Sequence, residues 1–490
     1  MTADLRARLL RPFRRPTHTL TPLPALEPAM TTTVSPVPSP VPSLAAGPAV
    51  TGPVFTAGDP GLAAEIAGAV TTWERRPALV VGATCADDVA ATVRWAAEHG
   101  LGIAVQATGH GAVDDLAGAV VVTTSRMTDV VVDPAAGTAR VGAGARFRQV
   151  IDAAAPHGLA PLCGSSSQVG VVGYTTGGGL GPLGRTYGFA ADHVRSIEIV
   201  TADGEIRTVD AGSDSADDRE LFWAVRGGKA SFGIVTALEF DLVPVATLYG
   251  GGIFFPGAAA HAVLHAYREW VPTLPEETTS SVAILRMPPD PHLPEPLRGQ
   301  TVVHLRVAYL GDAATGEALL APMRAAAPAL IDGVGEMPFA AIDSIHMDPV
   351  DPMPIFYRGL TLAELPAEAI DAVLAAAGPE VEVPLVLVEI RHLGGALSRP
   401  AAVPNAVAGR DAAFSVWVLG PMFPPLVDVV PGVVEAVAGA LRPWAARGSL
   451  VNFYGTGGPA EVGALWNDGD RDRMLVLKRR LDPTNVFGHR

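Results

Sequence analysis

The feature that most constrains this chain is a run almost without side-chain bulk, "CGSSSQVGVVGYTTGGGLGPLG" over residues 163–184. Such a run cannot supply the apolar face of a helix or strand. It suits a place where backbone must come close to another group, because glycine has no Cβ and accepts φ > 0. A second stretch of this kind, "ATGHGA" (residues 107–112), follows the apolar run "GIAVQ". Successive backbone N–H groups in such loops can cradle phosphate oxygens. Neither "ATGHGA" nor "GVVGYTTGGGLG" contains Lys or Arg, so backbone dipoles are expected to hold a pyrophosphate. The P-loop pattern GxxxxGK[ST] is absent, and the glycines do not follow a first strand as in a Rossmann fingerprint. His110 stands between two glycines, which is not the setting of a core histidine.

The 490 residues are 49% hydrophobic, enough for a large core and more consistent with two domains than one. A formal charge of −15 argues against a sequence-independent grip on nucleic acid. Two cysteines, Cys85 and Cys163, make neither a disulfide framework nor a metal motif and read as buried thiols. No metal site is expected. No apolar run reaches the ~18 residues of a membrane span. Residues 1–50 read as a Pro-rich disordered extension with polyproline II character. Prolines interrupt the apolar stretch that a twin-arginine signal at Arg14–Arg15 would need, so a cytoplasmic location is expected. Met1 and Met30 both stand as candidate starts.

Residues 77–106 read as a β-α-β unit: "PALVV", then a helix with Thr84 as N-cap and Gly100 as its stop, then "GIAVQ". The His110 loop then lies at the carboxyl end of a strand, a common ligand position in α/β sheets. "DPAAG" and "ADGE" predict hairpins, and the alternation in "GIVTALEFDLVPV" predicts a half-buried strand. Beyond about Val245, strands such as "TVVHLRVAYLG" and "LVLVEIRHLGG" alternate with helices, indicating an α+β region with an antiparallel sheet.

The order of these segments resembles the FAD-binding domain of the flavin-linked oxidases, the vanillyl-alcohol oxidase and berberine bridge enzyme-like family with its PCMH-type domain. The ordered markers are "GHGA", "GAGA", the glycine-rich run, "YGFAADHV", "TADG", "ELFWAVRGG" and "FGIV". "VEIRHLGGALSRP" and "VNFYG…KRRLDPTNVF" resemble the family's bacterial branch, and the likeness covers roughly residues 70–490. It implies an α+β fold: an FAD-binding domain of two small α/β subdomains, plus a substrate domain whose antiparallel sheet is flanked by helices. The implied boundaries are 70–245 for the FAD-binding domain, 246–450 for the substrate domain and 451–490 for a segment returning to the first.

The resemblance also implies the cofactor chemistry. FAD would be joined covalently through its 8α carbon to His110, a nucleophile that works as a neutral imidazole. Many relatives carry a second, cysteine tether at the position of Ser166; Cys163 is out of register, so a single bond is expected. A hydroxyl is a poor nucleophile without a base. Ala107, Thr108, Gly109, Gly111, Ala112, Ser166, Val169, Gly170, Gly173, Thr175, Gly177, Gly178 and Gly181 are expected to line the cofactor. Asp192, Ile234 and Val235 are expected near the adenine end, and Asn452 and Asn485 near the flavin.

The candidate catalytic residues are Tyr454, Glu389 and Asn452. Glu389 and Arg391 share one face of a strand, as a cavity wall or an ion pair; Tyr357 and Trp417 are candidate pocket walls, and His392 is structural. The family's Tyr-x-Asn is Leu450-Val-Asn452 here, which puts in doubt a base at its first position. The expected activity is oxidation of a small alcohol, sugar or natural-product intermediate, with O₂ as acceptor, by a monomer or homodimer. A dehydrogenase with another acceptor and a flavin-retaining non-redox protein remain the alternatives.

Overall fold

A computed structural model describes residues 47–111, 116–229 and 231–488. Most of the proline-rich extension, Met30 and Ala112 lie outside the described residues. Three sheets organise the rest.

The first sheet has the order β1-β2-β4-β3, from β1 (Val54–Phe55), β2 (Leu79–Gly82), β3 (Ile103–Gln106) and β4 (Val120–Thr123). β2 and β3 both run parallel to β4, which lies between them. The β-α-β unit thus spans a gap that a later strand fills. Its helix, Ala86–Glu98, buries Val89, Val93 and Ala96. The N-cap is Cys85, not the expected Thr84, and it makes no side-chain cap. Asp88 replaces that cap from inside the first turn. Its Oδ2 accepts the Thr84 N–H (2.9 Å) and hydroxyl (2.7 Å), and its Oδ1 accepts the Thr51 N–H (2.7 Å).

The second sheet is antiparallel, β5-β6-β9-β7-β8. It comprises β5 (Val130–Asp133), β6 (Thr138–Gly142), β7 (Val194–Val200), β8 (Ile206–Asp210) and β9 (Ile234–Asp241). Asp133 closes the first hairpin by accepting the N–H groups of Ala135 and Ala136. β9 was expected to be half-buried, yet only Glu239 and Asp241 are partly exposed. It is the central strand, and its inward Thr236 is satisfied by the Glu198 carboxylate at 2.7 Å.

The third sheet has eight strands in the order β13-β10-β12-β11-β16-β17-β15, with β14 also pairing with β10. They are β10 (Thr247–Pro256), β11 (Thr278–Arg286), β12 (Thr301–Tyr309), β13 (Ile331–Asp332), β14 (Gly335–Pro338), β15 (Ile355–Leu362), β16 (Leu387–His392) and β17 (Phe414–Pro421). All the pairings are antiparallel. Side chains alternate between faces. Val303, Leu305, Val388, Ile390, Val416 and Val418 join one core with the helices Ala260–Trp270, Ala367–Ala377 and Val430–Ala440. The intervening residues His304, Arg306, Glu389 and Arg391 are buried on the opposite face.

The last forty residues cross back over the first half. Arg473 pairs with Glu220 at 2.6 Å, and the Val486 carbonyl accepts the Ile103 N–H at 2.7 Å. No helix among the described residues is long and apolar enough to cross a membrane.

Burial alone would raise the Asp88 carboxyl, but the hydrogen bonds from Thr51 and Thr84 outweigh it and hold the group at about 2. A depressed carboxyl stabilises the fold above its unfolded pKa and stops doing so as pH falls through the folded value. Asp88→Ala is expected to cost on the order of 2–3 kcal/mol in denaturant unfolding at pH 7. The gap between variant and wild type should narrow from about pH 4 towards pH 2.

Candidate active site

The His110 loop leaves β3 at its carboxyl end. Residues 68–70 lie against it: Ala69 N–H donates to the Thr108 carbonyl and Val70 N–H to that of Gly109, both at 3.0 Å. Gly109 has φ +67°, and a Cβ there would meet the Gly68 Cα at 2.6 Å. No side chain fits at that position. Below the loop, Gln106 is held by Arg75. The Thr108 hydroxyl contacts His110 Nδ1 at 2.8 Å and accepts the Gly170 N–H at 3.3 Å. One side chain therefore joins the two glycine-rich segments. The imidazole is half-buried, and His110 Nε2 has no hydrogen-bond partner among the described residues. Burial first, and the Arg146 charge second, push its pKa down to about 4, so the ring is neutral at pH 7.

In the second segment the Val169 carbonyl accepts the Phe147 N–H at 3.1 Å, and Gly170 caps a short helix, Val171–Thr175. Gly181 passes so near the Cys163 carbonyl that a Cβ would lie 1.8 Å from its oxygen. Ser166 accepts the Gln168 N–H at 3.3 Å, and its hydroxyl donates to no carboxylate or imidazole among the described residues. The Cys163 thiol is buried and pushed up to about 12, by burial and then by the Asp343 carboxylate. Asn452 reaches this segment, donating Nδ2 to the Tyr174 carbonyl at 2.8 Å beside Gly177.

Lys229 escaped the sequence reading. It follows the Gly227–Gly228 kink with φ +60°, and its ammonium donates to the Gly173 carbonyl at 3.4 Å. Burial lowers it to about 8, and it forms no ion pair with a carboxylate among the described residues. Open space faces Gly173 and Gly111, where a Cβ would meet nothing within 4 Å. An ammonium with no carboxylate partner among the described residues, beside uncovered backbone and a neutral imidazole, is a donor set that fits an FAD. The only sequence signal for Lys229 was a cation directly after two glycines, more than fifty residues from the loop it serves.

The polar face of the third sheet looks towards residues 180–182, across a cavity that Arg306, Arg391, His346 and His392 also line. Glu389 is fully buried. Its Oε1 accepts from Arg306 Nη1 (2.6 Å) and Ser281 Oγ (2.7 Å), and its Oε2 accepts from Arg391 Nε (2.9 Å). Burial would raise its carboxyl, but the charges of Arg391 and Arg306 prevail and hold it at about 2. The ion-pair reading of Glu389 therefore has the better geometry, and a permanently charged, saturated carboxylate is a poor proton acceptor. Tyr454 lies under the Arg358 guanidinium, 4.4 Å from its ring centroid. Trp417 packs edge-on to Tyr357 and Phe453, at 5.5 and 5.8 Å. Tyr174, overlooked in the sequence, has a buried hydroxyl without a hydrogen-bond partner among the described residues.

Of the residues expected near the flavin, Asn485 is not brought to this place. Asn485 is exposed in a left-handed turn beside Val486, at the amino end of β3 and opposite the His110 loop. Asp192 is committed to Arg410 at 2.5 Å and Asn405 at 2.7 Å. Ile234 and Val235 are buried at the start of β9. His392 contacts Arg185 at 3.1 Å, consistent with a structural role. Away from the site, on the outer helices, His261, His265 and Asp371 gather their ligand atoms within 4.8 Å.

Residues 77–210 match the family described as FAD binding domain. (R)-6-hydroxynicotine oxidase of Paenarthrobacter nicotinovorans is 38% identical over 173 residues, 34% of this chain and 36% of that protein. The FAD-dependent monooxygenase FUP4 of Fusarium proliferatum is 34% identical over 200 residues, 40% of this chain and 38% of that protein. The matched part thus spans less than half the length of these relatives. Among solved structures, 6-hydroxy-D-nicotine oxidase from Arthrobacter nicotinovorans superposes with a TM-score of 0.76 at 24% identity, over 89% of this chain and 96% of that one. Xylooligosaccharide oxidase from Myceliophthora thermophila C1 gives 0.76 at 21% identity, over 89% and 95%. These chains share the fold.

Removing a positive charge beside an imidazole favours its protonation. In flavin-free protein, Arg146→Gln should raise the His110 pKa while leaving it below an ordinary histidine, because burial remains. A histidine NMR titration checks this.

Proposed function

We propose that this chain, which carries an FAD binding domain within the fold of 6-hydroxy-D-nicotine oxidase, is an FAD-linked oxidoreductase of the berberine bridge enzyme-like kind, that His110 carries its flavin covalently and that it oxidises a small molecule with O₂ as acceptor. The observation that carries this reading is the neutral imidazole of His110, held through Nδ1 by Thr108, with Nε2 unpartnered among the described residues. With the Nδ1 proton directed to the Thr108 hydroxyl, the Nε2 lone pair is available to form the bond. Lys229 is the cation for the pyrophosphate, and the open backbone at Gly111 and Gly173 lies along it. The attachment is single, because the Cys163 thiol stays protonated and the Ser166 hydroxyl donates to no carboxylate or imidazole among the described residues. The division into 70–245, 246–450 and 451–490 belongs to the same reading.

When bound, the flavin supplies the hydride acceptor, and the protein supplies orientation and proton transfer. Tyr454 takes the substrate proton in this reading, since Glu389 is saturated by its arginines. Burial raises the Tyr454 phenol, and the Arg358 charge works against that rise, favouring the phenolate that a base must reach. Asn452 ties this segment to the second glycine-rich loop.

Acid denaturation followed by peptide mass analysis tests the attachment. The flavin mass should stay on the His110 peptide, vanish in His110→Ala and persist in Cys163→Ala; flavin released freely from the wild type would refute it. Lys229→Met should weaken FAD uptake by the flavin-free protein by about tenfold, as expected from the loss of one charge-assisted contact. Tyr454→Phe should keep the adduct and lower kcat by roughly 10²–10⁴. H₂O₂ released in step with substrate oxidation identifies O₂ as the acceptor.

A further inference from the structure

We propose that the cavity between residues 180–182 and the polar face of the third sheet is a carboxylate-binding subsite, with Arg391 and Arg306 as its anion ligands, so that the substrate is a small organic acid. This deepens the oxidoreductase reading and rests on it for the word substrate.

The first argument is charge. Arg306 and Arg391 are 2% and 7% exposed and share one carboxylate, that of Glu389. Two guanidinium groups and one carboxylate leave one uncompensated positive charge. The neighbouring His346 does not offset it, and burial keeps that ring neutral. A buried charge without a partner is costly, and a ligand anion would remove the cost.

The second argument is the pattern of used and unused donors. Glu389 takes Arg391 through Nε and Arg306 through Nη1. Arg306 Nε is spent on His304 Nδ1 at 3.1 Å. Neither terminal nitrogen of Arg391, nor Nη2 of Arg306, has a hydrogen-bond partner among the described residues. His346 Nδ1 is also buried without one. All three side chains line the cavity. A guanidinium edge with two parallel N–H groups matches the two oxygens of a carboxylate. The net charge of one favours a monoanion over a phosphate monoester. Glu389 is then a positioning residue that holds the two arginines, one on each oxygen.

The test uses the holoenzyme and three probes of similar size: benzoate, benzamide and phenyl phosphate. Binding is followed by the change in flavin absorbance and by the shift in thermal midpoint. Benzoate is expected to bind at least tenfold tighter than either of the others. Arg391→Gln should lose that preference at least tenfold while keeping the wild-type flavin content. The wild-type comparison needs no variant, so a variant that fails to fold does not remove the test. Equal binding of benzoate and benzamide, or no binding of benzoate, overturns the proposal. So does an Arg391→Gln protein that keeps the preference, or one that loses flavin instead, which would assign Arg391 to the cofactor. Failure of the oxidoreductase reading shows separately, as a protein that takes up no FAD. The thermal arm still reports carboxylate preference in that case.

Discussion

The Thr108 hydroxyl touches both halves of the cofactor site. It contacts the His110 ring and receives the Gly170 N–H, so two segments 62 residues apart share one oxygen. Glycine-rich loops have high conformational entropy and few side chains to pin them. A single polar side chain at their junction therefore has an outsized effect. Around it, the clamp of residues 68–70 and the close approach of Gly109 to Gly68 leave the imidazole little freedom. The same enclosure that positions the ring also desolvates it, which keeps it neutral.

The third sheet solves a different problem. Its alternation puts valine, leucine and isoleucine under the helices and Arg306, Arg391, Glu389 and His304 on the opposite face, where both arginines line the cavity towards residues 180–182. Charges in such a place must be paired or lead to a ligand. Glu389 pairs them in part. Both arginines are among the residues that line the cavity. The glycine-rich run thus borders two sites, the cofactor loop on one side and the cationic cavity on the other.

Much of the architecture was readable from local pattern. The hairpins at Asp133 and at residues 200–206 follow from turn chemistry beside β-branched runs, and the helix Ala86–Glu98 from its apolar spacing. The misreadings have physical causes. Thr84 is a suitable N-cap type, yet Asp88 competes for its N–H and hydroxyl and also ties in Thr51, a partner 37 residues away. β9 alternates like a surface strand, yet its place at the centre of five strands buries it. Glu389 looked equally suited to proton transfer and to an ion pair; Arg306, on another strand, decides for the pair. Lys229 could not be assigned at all, since nothing in its own neighbourhood points to Gly173.

The amino-acid order alone determined the element types, the placing of a histidine in a glycine loop after a strand, and the resemblance to flavin-linked oxidases, because backbone freedom and period-two or period-3.6 patterns act over a few residues. Tertiary structure decided which charges meet. The protonation of His110, the saturation of Glu389, the reach of Lys229 and the spare donors of Arg391 all depend on neighbours distant in sequence and on the exclusion of water. Burial and electrostatic pairing are properties of the packed chain, and no local pattern carries them.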